Sequence, residues 1–225
     1  MDMDANELSD LLRQWADEEF HTGKPFIYDG IIDPEKWAKS FRKVLLLLKE
    51  AYPYDEKTTR DGFDLCSLIK DEWKGVKYKM WKSAAYWCHA VQHTSSRPLD
   101  FCLIKDNMDA LSESLLSSAV VNIKKSDGHS VSDDSDLKHY VDHDHEKIRK
   151  QVDLIGPNIV ICCNTWHLVK DKVWPETIGA YKIYDRVWKV GTYHIIDYWH
   201  PANQFPDVLQ YYGLNSILMN SKALE

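Results

Sequence analysis

Four short apolar runs, set far apart in a 225-residue chain, constrain what it can fold into more than any other feature. They are Val44-Leu45-Leu46-Leu47-Leu48, Ala119-Val120-Val121-Asn122-Ile123, a run over 158–163 that ends in Cys162-Cys163, and a fourth over 193–198. Runs this short do not make core helices. The first three also lack the strict alternation of a strand with one wet face, so they read as strands buried on both sides. Helical patterns fill the spaces between them. The spacing predicts helices over 6–20, from Asp33-Pro34-Glu35, over 62–73, 78–92, 106–117 and 133–155, and over 205–219. Asp33 is placed to cap its helix with Pro34 at the first position, and Gly156-Pro157 closes the longest one.

Strands alternating with helices predict a parallel arrangement covered on both faces. The expected fold is a single α/β domain, a three-layer sandwich with a central, mostly parallel four-stranded sheet flanked by helices. Residues 1–42 supply N-terminal helices. Residues 165–192 read as an insertion, with a hairpin or edge strand over 179–189.

Several function classes fall away. No apolar run approaches the length of a membrane span. The acidic start, Met1-Asp2-Met3-Asp4, has neither the basic nor the apolar region of a signal peptide, so a cytoplasmic location and no membrane partner are expected. Five cysteines without a CxxC pair argue against a disulfide framework and a four-cysteine zinc site. The net charge of -7 opposes broad affinity for nucleic acid, but the charge is unevenly spread. Lys70, Lys74, Lys77, Lys79 and Lys82 alternate with Trp73, Tyr78 and Trp81, whereas the 127–146 stretch is acidic.

The polar residues that follow the apolar runs carry the chemistry. Lys49-Glu50 follows the first, Asn122 with Lys124-Lys125 closes the second, Asn164 follows the third and His200-Pro201-Ala202-Asn203 follows the fourth. In open α/β sheets, ligands bind in the crevice beyond the carboxyl ends of the strands. Parallel strands therefore bring Glu50, Asn122 and His200 together from distant parts of the chain. A carboxylate, an amide and an imidazole supply a cation stabiliser or base, a two-sided hydrogen-bonding group and a proton donor. Taken singly, each has a bland reading as a loop carboxylate, a satisfied amide or a turn; their joint placement favours a site.

This ordered set resembles the uracil-DNA glycosylase superfamily. Lys49-Glu50-Ala51-Tyr52-Pro53 stands where one branch of that family carries Gly-Glu-Ala-Pro-Gly after an apolar strand. Asn122-Ile123-Lys124 is similar to its middle strand, the stretch from Ile159 to Thr165 to the next, and His200-Pro201-Ala202 to its final His-Pro-Ser or His-Pro-Ala. The resemblance spans about residues 40 to 212. Lys49 and Tyr52 depart from a Gly and a Pro. Ala51 stands where other branches place Asp or Asn, and the iron-sulfur cysteines have no counterpart.

The resemblance implies a monomeric, cofactor-free and metal-free enzyme that hydrolyses the N-glycosidic bond of a base flipped from DNA. Glu50 and His200 become the catalytic residues, and Ala51, Tyr52, Asn122, Asn164 and Asn203 the base-binding ones. Lys49, Lys77, Lys79, Lys82, Lys124 and Lys125 become contacts to the DNA backbone. Some proteins resembling this superfamily act on foreign bases as antiviral defence. The remodelled 49–53 segment, with Asn164, Asn203 and Gln204 for sugar hydroxyls, makes glucosylated hydroxymethylcytosine of phage DNA the expected substrate; repair of uracil or damaged bases is the alternative. Two rivals stand beside it. One is a metal-dependent hydrolase using His139, His143 and His145 with Asp142 and Asp144. The other is a non-catalytic module that stacks nucleic acid on its tryptophans.

Overall fold

A computed structural model describes residues 3–52, 62–128, 131–177 and 182–224. Helix α1 (Met3–Ala16) leads into two very short strands, β1 (Ile27–Tyr28) and β2 (Gly30–Ile31), and helix α2 (Pro34–Lys39). Strand β3 (Val44–Leu48) and β4 (Phe63–Asp64) follow, then the short helix α3 (Leu65–Ser67), which runs on as a π-helical turn over Leu68–Glu72. Helices α4 (Lys79–His93), α5 (Phe101–Ile104) and α6 (Met108–Leu116) precede β5 (Ala119–Asn122). The rest runs α7 (Asp134–Ile155), β6 (Ile159–Cys163), α8 (Trp166–Val169), β7 (Lys182–Tyr184), β8 (Val187–Val190), β9 (Tyr193–Tyr198) and α9 (Asp207–Ser221).

The fold is α/β, and its main sheet is mixed and seven-stranded, in the order β2-β5-β3-β6-β9-β8-β7. This corrects the expected four-stranded sheet. Strands β5, β3, β6 and β9, the four apolar runs, pair in parallel. Antiparallel β2 is added at one edge, and antiparallel β8 and β7 at the other. Strands β7 and β8 form the hairpin and edge strand expected over 179–189. Strand β2 escapes sequence reading because it is only two residues long and carries no apolar pattern of its own. A separate two-stranded sheet pairs β1 with β4 in parallel, so the segment expected to be helical over 62–73 opens as a strand. The first helix stops at Ala16 rather than reaching residue 20.

Burial on both faces explains the unbroken apolar runs. All five residues of β3 are buried. Val44, Leu46 and Leu48 join a core with α4, α6 and α9, while Leu45 and Leu47 join a second core with α1, α7 and α8. Each such side chain contributes about 1.5–3 kcal/mol over leaving it in water. Gly156 ends α7 in the left-handed conformation, at φ 64°, which glycine adopts without a Cβ clash. The parallel strands thus all end on one side of the domain, where their polar successors collect.

Candidate active site

The chain beyond β3 and the chain beyond β5 stay paired after the strands end. Ile123 N–H donates to Leu48 O at 3.0 Å, Lys124 N–H to Lys49 O at 3.1 Å, and Gly128 N–H to Ala51 O at 2.9 Å. This ladder fixes the backbone on either side of Glu50. Gly128 lies so close that an added Cβ would sit 2.5 Å from Glu50 Cγ, so only glycine leaves the carboxylate where it is. The Glu50 side chain is 5% exposed, and Lys124 Nζ lies 3.3 Å from its Oε2.

His200 enters from the turn after β9. Its Nδ1 accepts a hydrogen bond from Ala202 N–H at 3.2 Å, which puts the proton of the neutral ring on Nε2. Burial pushes the imidazole down to about 4, with the nearby Lys49 ammonium adding to the effect, so the ring is neutral at pH 7.

Asn122 is fully buried at the end of β5. Its backbone N–H and its side-chain amide both donate to Asp29 Oδ2, at 2.8 and 3.1 Å. Asp29 also accepts from Lys125 Nζ and from Gln151 Nε2. Flipping the amide would turn its oxygen against the Asp29 carboxylate, so the network fixes which end faces away from it. The Oδ1 atom that faces away has no protein partner among the described residues.

These groups open onto one cleft of about 560 Å³, within the size range usual for ligand pockets. Lys49, Glu50, Ala51, Tyr52, Asn122 and His200 line it, as do Leu65, Trp73, Tyr78, Met80 and Trp81. Trp73 meets Tyr78 edge-on at 5.3 Å and tilts against Trp81 at 6.3 Å, giving the cleft an aromatic wall. The arrangement offers a carboxylate, a neutral imidazole donor and a buried acceptor around an apolar slot.

Other predicted residues take different places. Asn164 sits in an exposed left-handed turn, at φ 58°, and does not line the cleft. Asn203 is spent on its own loop, donating to His200 O and Gln210 Oε1 and accepting from Phe205 N–H. Lys125 is fully buried against Asp29, which removes it from any contact with a DNA backbone. Lys124 is 5% exposed and held between Glu50 and Asp136, so it serves the carboxylate rather than a phosphate. Lys49 pairs with Asp134 at 2.8 Å on the rim. Lys77 and Lys79 are exposed and Lys82 half-buried, beside the aromatic wall.

Nothing local in the sequence links Asp29 or Gly128 to the site. Tyr28-Asp29-Gly30 has the composition of a turn, and Gly128 lies in a polar Ser-Asp-Gly stretch. The chain finds no match among protein-family models, curated proteins or solved structures.

Proposed function

We propose that this protein is a DNA glycosylase of the uracil-DNA glycosylase-like class, acting on a bulky modified cytosine such as the glucosylated hydroxymethylcytosine of phage DNA. The observation that carries the reading is the meeting of Glu50, Asn122 and His200 in one cleft. Breaking an N-glycosidic bond builds positive charge on the sugar and negative charge on the departing base. The Glu50 carboxylate stabilises the oxocarbenium-like sugar or orients the attacking water, as carboxylates do in sugar hydrolysis generally. Neutral His200 donates its Nε2–H to the departing base and spreads its charge. Asn122 Oδ1 accepts from an N–H on the edge of the flipped base, with Asp29 holding the amide in that sense. The aromatic wall stacks on the base or its substituent within the 560 Å³ cleft.

The substrate test offers duplexes containing uracil, unmodified cytosine or the glucosylated base and assays for abasic sites. The proposal expects abasic sites at the glucosylated base. Efficient cutting at uracil, with none at the bulky base, would replace the defence reading with a repair one.

Neutral His200 has a pH consequence. An imidazole near its ordinary value of 6.5 would lose half its neutral form there, whereas one near 4 stays neutral through mildly acidic conditions. The kcat/KM profile is therefore expected to stay flat from pH 8 to about 5.5 and to fall only on approaching 4. A half-loss of rate near pH 6.5 would contradict the role given to His200.

The lysines beside the aromatic wall bear on DNA binding. Replacing Lys77, Lys79 and Lys82 together with Gln is expected to weaken binding and to reduce the slope of log K against log salt, by about 0.7–0.9 for each phosphate no longer neutralised. An unchanged slope in the triple variant would put the DNA on another surface.

A further inference from the structure

Helix α7 carries a second cluster that this chemistry does not use. His143 and Asp144 on α7 meet Glu18 and His21 from the segment after α1, and one donor atom from each lies within 4.8 Å of all the others. His21 Nε2 is 3.1 Å from Asp144 Oδ2, and His143 Nδ1 is 2.7 Å from Asp144 Oδ1. Tetrahedral ligands bound at roughly 2.0–2.2 Å to a common ion lie about 3.3–3.6 Å from one another. Shifts of about 1 Å bring the four donors to those edges.

The hydrogen bonding of His21 points the same way independently. The His21 and Asp144 side chains are 1% and 0% exposed. Trp15 N–H donates to His21 Nε2 at 3.0 Å, while the Asp144 carboxylate faces the same nitrogen. The indole needs a lone pair there and the carboxylate needs a proton. His21 Nδ1, also buried, has no protein partner among the described residues. Buried polar groups seldom remain so mismatched. A cation between the imidazole and the carboxylate gives both a bonding partner, and takes from Trp15 N–H the single Nε2 lone pair that it now shares. Lys147 Nζ, 2.8 Å from Glu18 Oε2 and 3.4 Å from Asp144 Oδ1, is the cation these carboxylates already hold, and an ion bound at the site displaces it.

We infer that Glu18, His21, His143 and Asp144 form a binding site for a divalent transition-metal ion of the zinc type, tying the segment after α1 to α7. Two imidazoles with two carboxylates suit zinc and its neighbours rather than calcium or magnesium, which prefer all-oxygen shells. Asp144 lies ten residues beyond Asp134, which touches the cleft rim through Lys49, so the site stands about 15 Å along the helix from the cleft. The ion's role is structural.

The test adds Zn²⁺ to the full chain after EDTA treatment and dialysis, and follows calorimetry and thermal unfolding. The proposal expects one Zn²⁺ per chain and a Tm rise of roughly 5–10 °C at free Zn²⁺ a hundredfold above Kd. Because loss of buried His21 or Asp144 would itself threaten folding, the variants are His143→Ala and Glu18→Ala on the more accessible side, with His145→Ala as the control. His143→Ala and Glu18→Ala should fold but lose most of the Zn²⁺-dependent shift, and His145→Ala should keep it. Absence of a shift in the wild type, or a full shift in His143→Ala, would overturn the site.

Discussion

Glu50→Gln and His200→Ala are each expected to slow base release by about 10²–10⁴-fold while leaving the protein folded, the range found when a positioned acid, base or charge-stabilising donor is removed. The Gln side chain keeps the volume beside Gly128 but removes the charge that would face the sugar cation. Lys124, which Glu50 shares with Asp136, still has an anionic partner in that variant, so no buried lysine is orphaned. His200 lies in a turn rather than in the sheet, and its shortening removes little core volume. The measurement is a single-turnover rate on modified DNA, with circular dichroism and Tm recorded alongside. Rates within threefold of wild type in either variant would remove that residue from the chemistry.

The second large effect is on stability. Lys125→Met is expected to destabilise the protein by about 3–5 kcal/mol, because it strips the cation from a buried carboxylate. Asp29 and Lys125 have side chains at 0% exposure, and Asp29 also anchors Asn122 and Gln151. Burial opposes the charged form of Lys125 and lowers its pKa, while the Asp29 carboxylate pulls in the other direction. The double variant Asp29→Asn with Lys125→Met should recover part of the loss, since no lone charge then stays buried. Urea unfolding gives both values. A loss under 1 kcal/mol in Lys125→Met would mean that Asp29 takes up a proton or finds other support, and that the network does not depend on the lysine.

That pair also shows what a sequence can and cannot convey here. Glu50 and His200 are legible because each follows an apolar run, and Asn122 because it lies at the end of one, and parallel strands buried on both faces deliver these residues to one edge. The hairpin of β7 and β8 and its place at a sheet edge are legible from the residues around 179–189. The lysine doublet misled. Lys124-Lys125 after a strand reads as solvent-facing cations, yet their partners Glu50 and Asp29 are 74 and 96 residues away in the chain. Long-range ion pairing leaves no local trace. The same holds for β1 and β2, whose two-residue lengths are set by pairing with β4 and β5 rather than by any pattern of their own. His143 and Asp144 are legible as metal ligands only in company with His139, His145 and Asp142, whereas the fold groups them with Glu18 and His21 from the segment after α1.

On the proposed function, the cleft at the strand ends breaks a base–sugar bond in DNA. Mass spectrometry of the small molecules released when the purified protein meets phage DNA rich in glucosylated hydroxymethylcytosine tests it most directly. The account predicts the free modified base, one abasic site for each base released, and loss of both with Glu50→Gln. No released base from this or any other DNA offered, or equal release by wild type and Glu50→Gln, would contradict it.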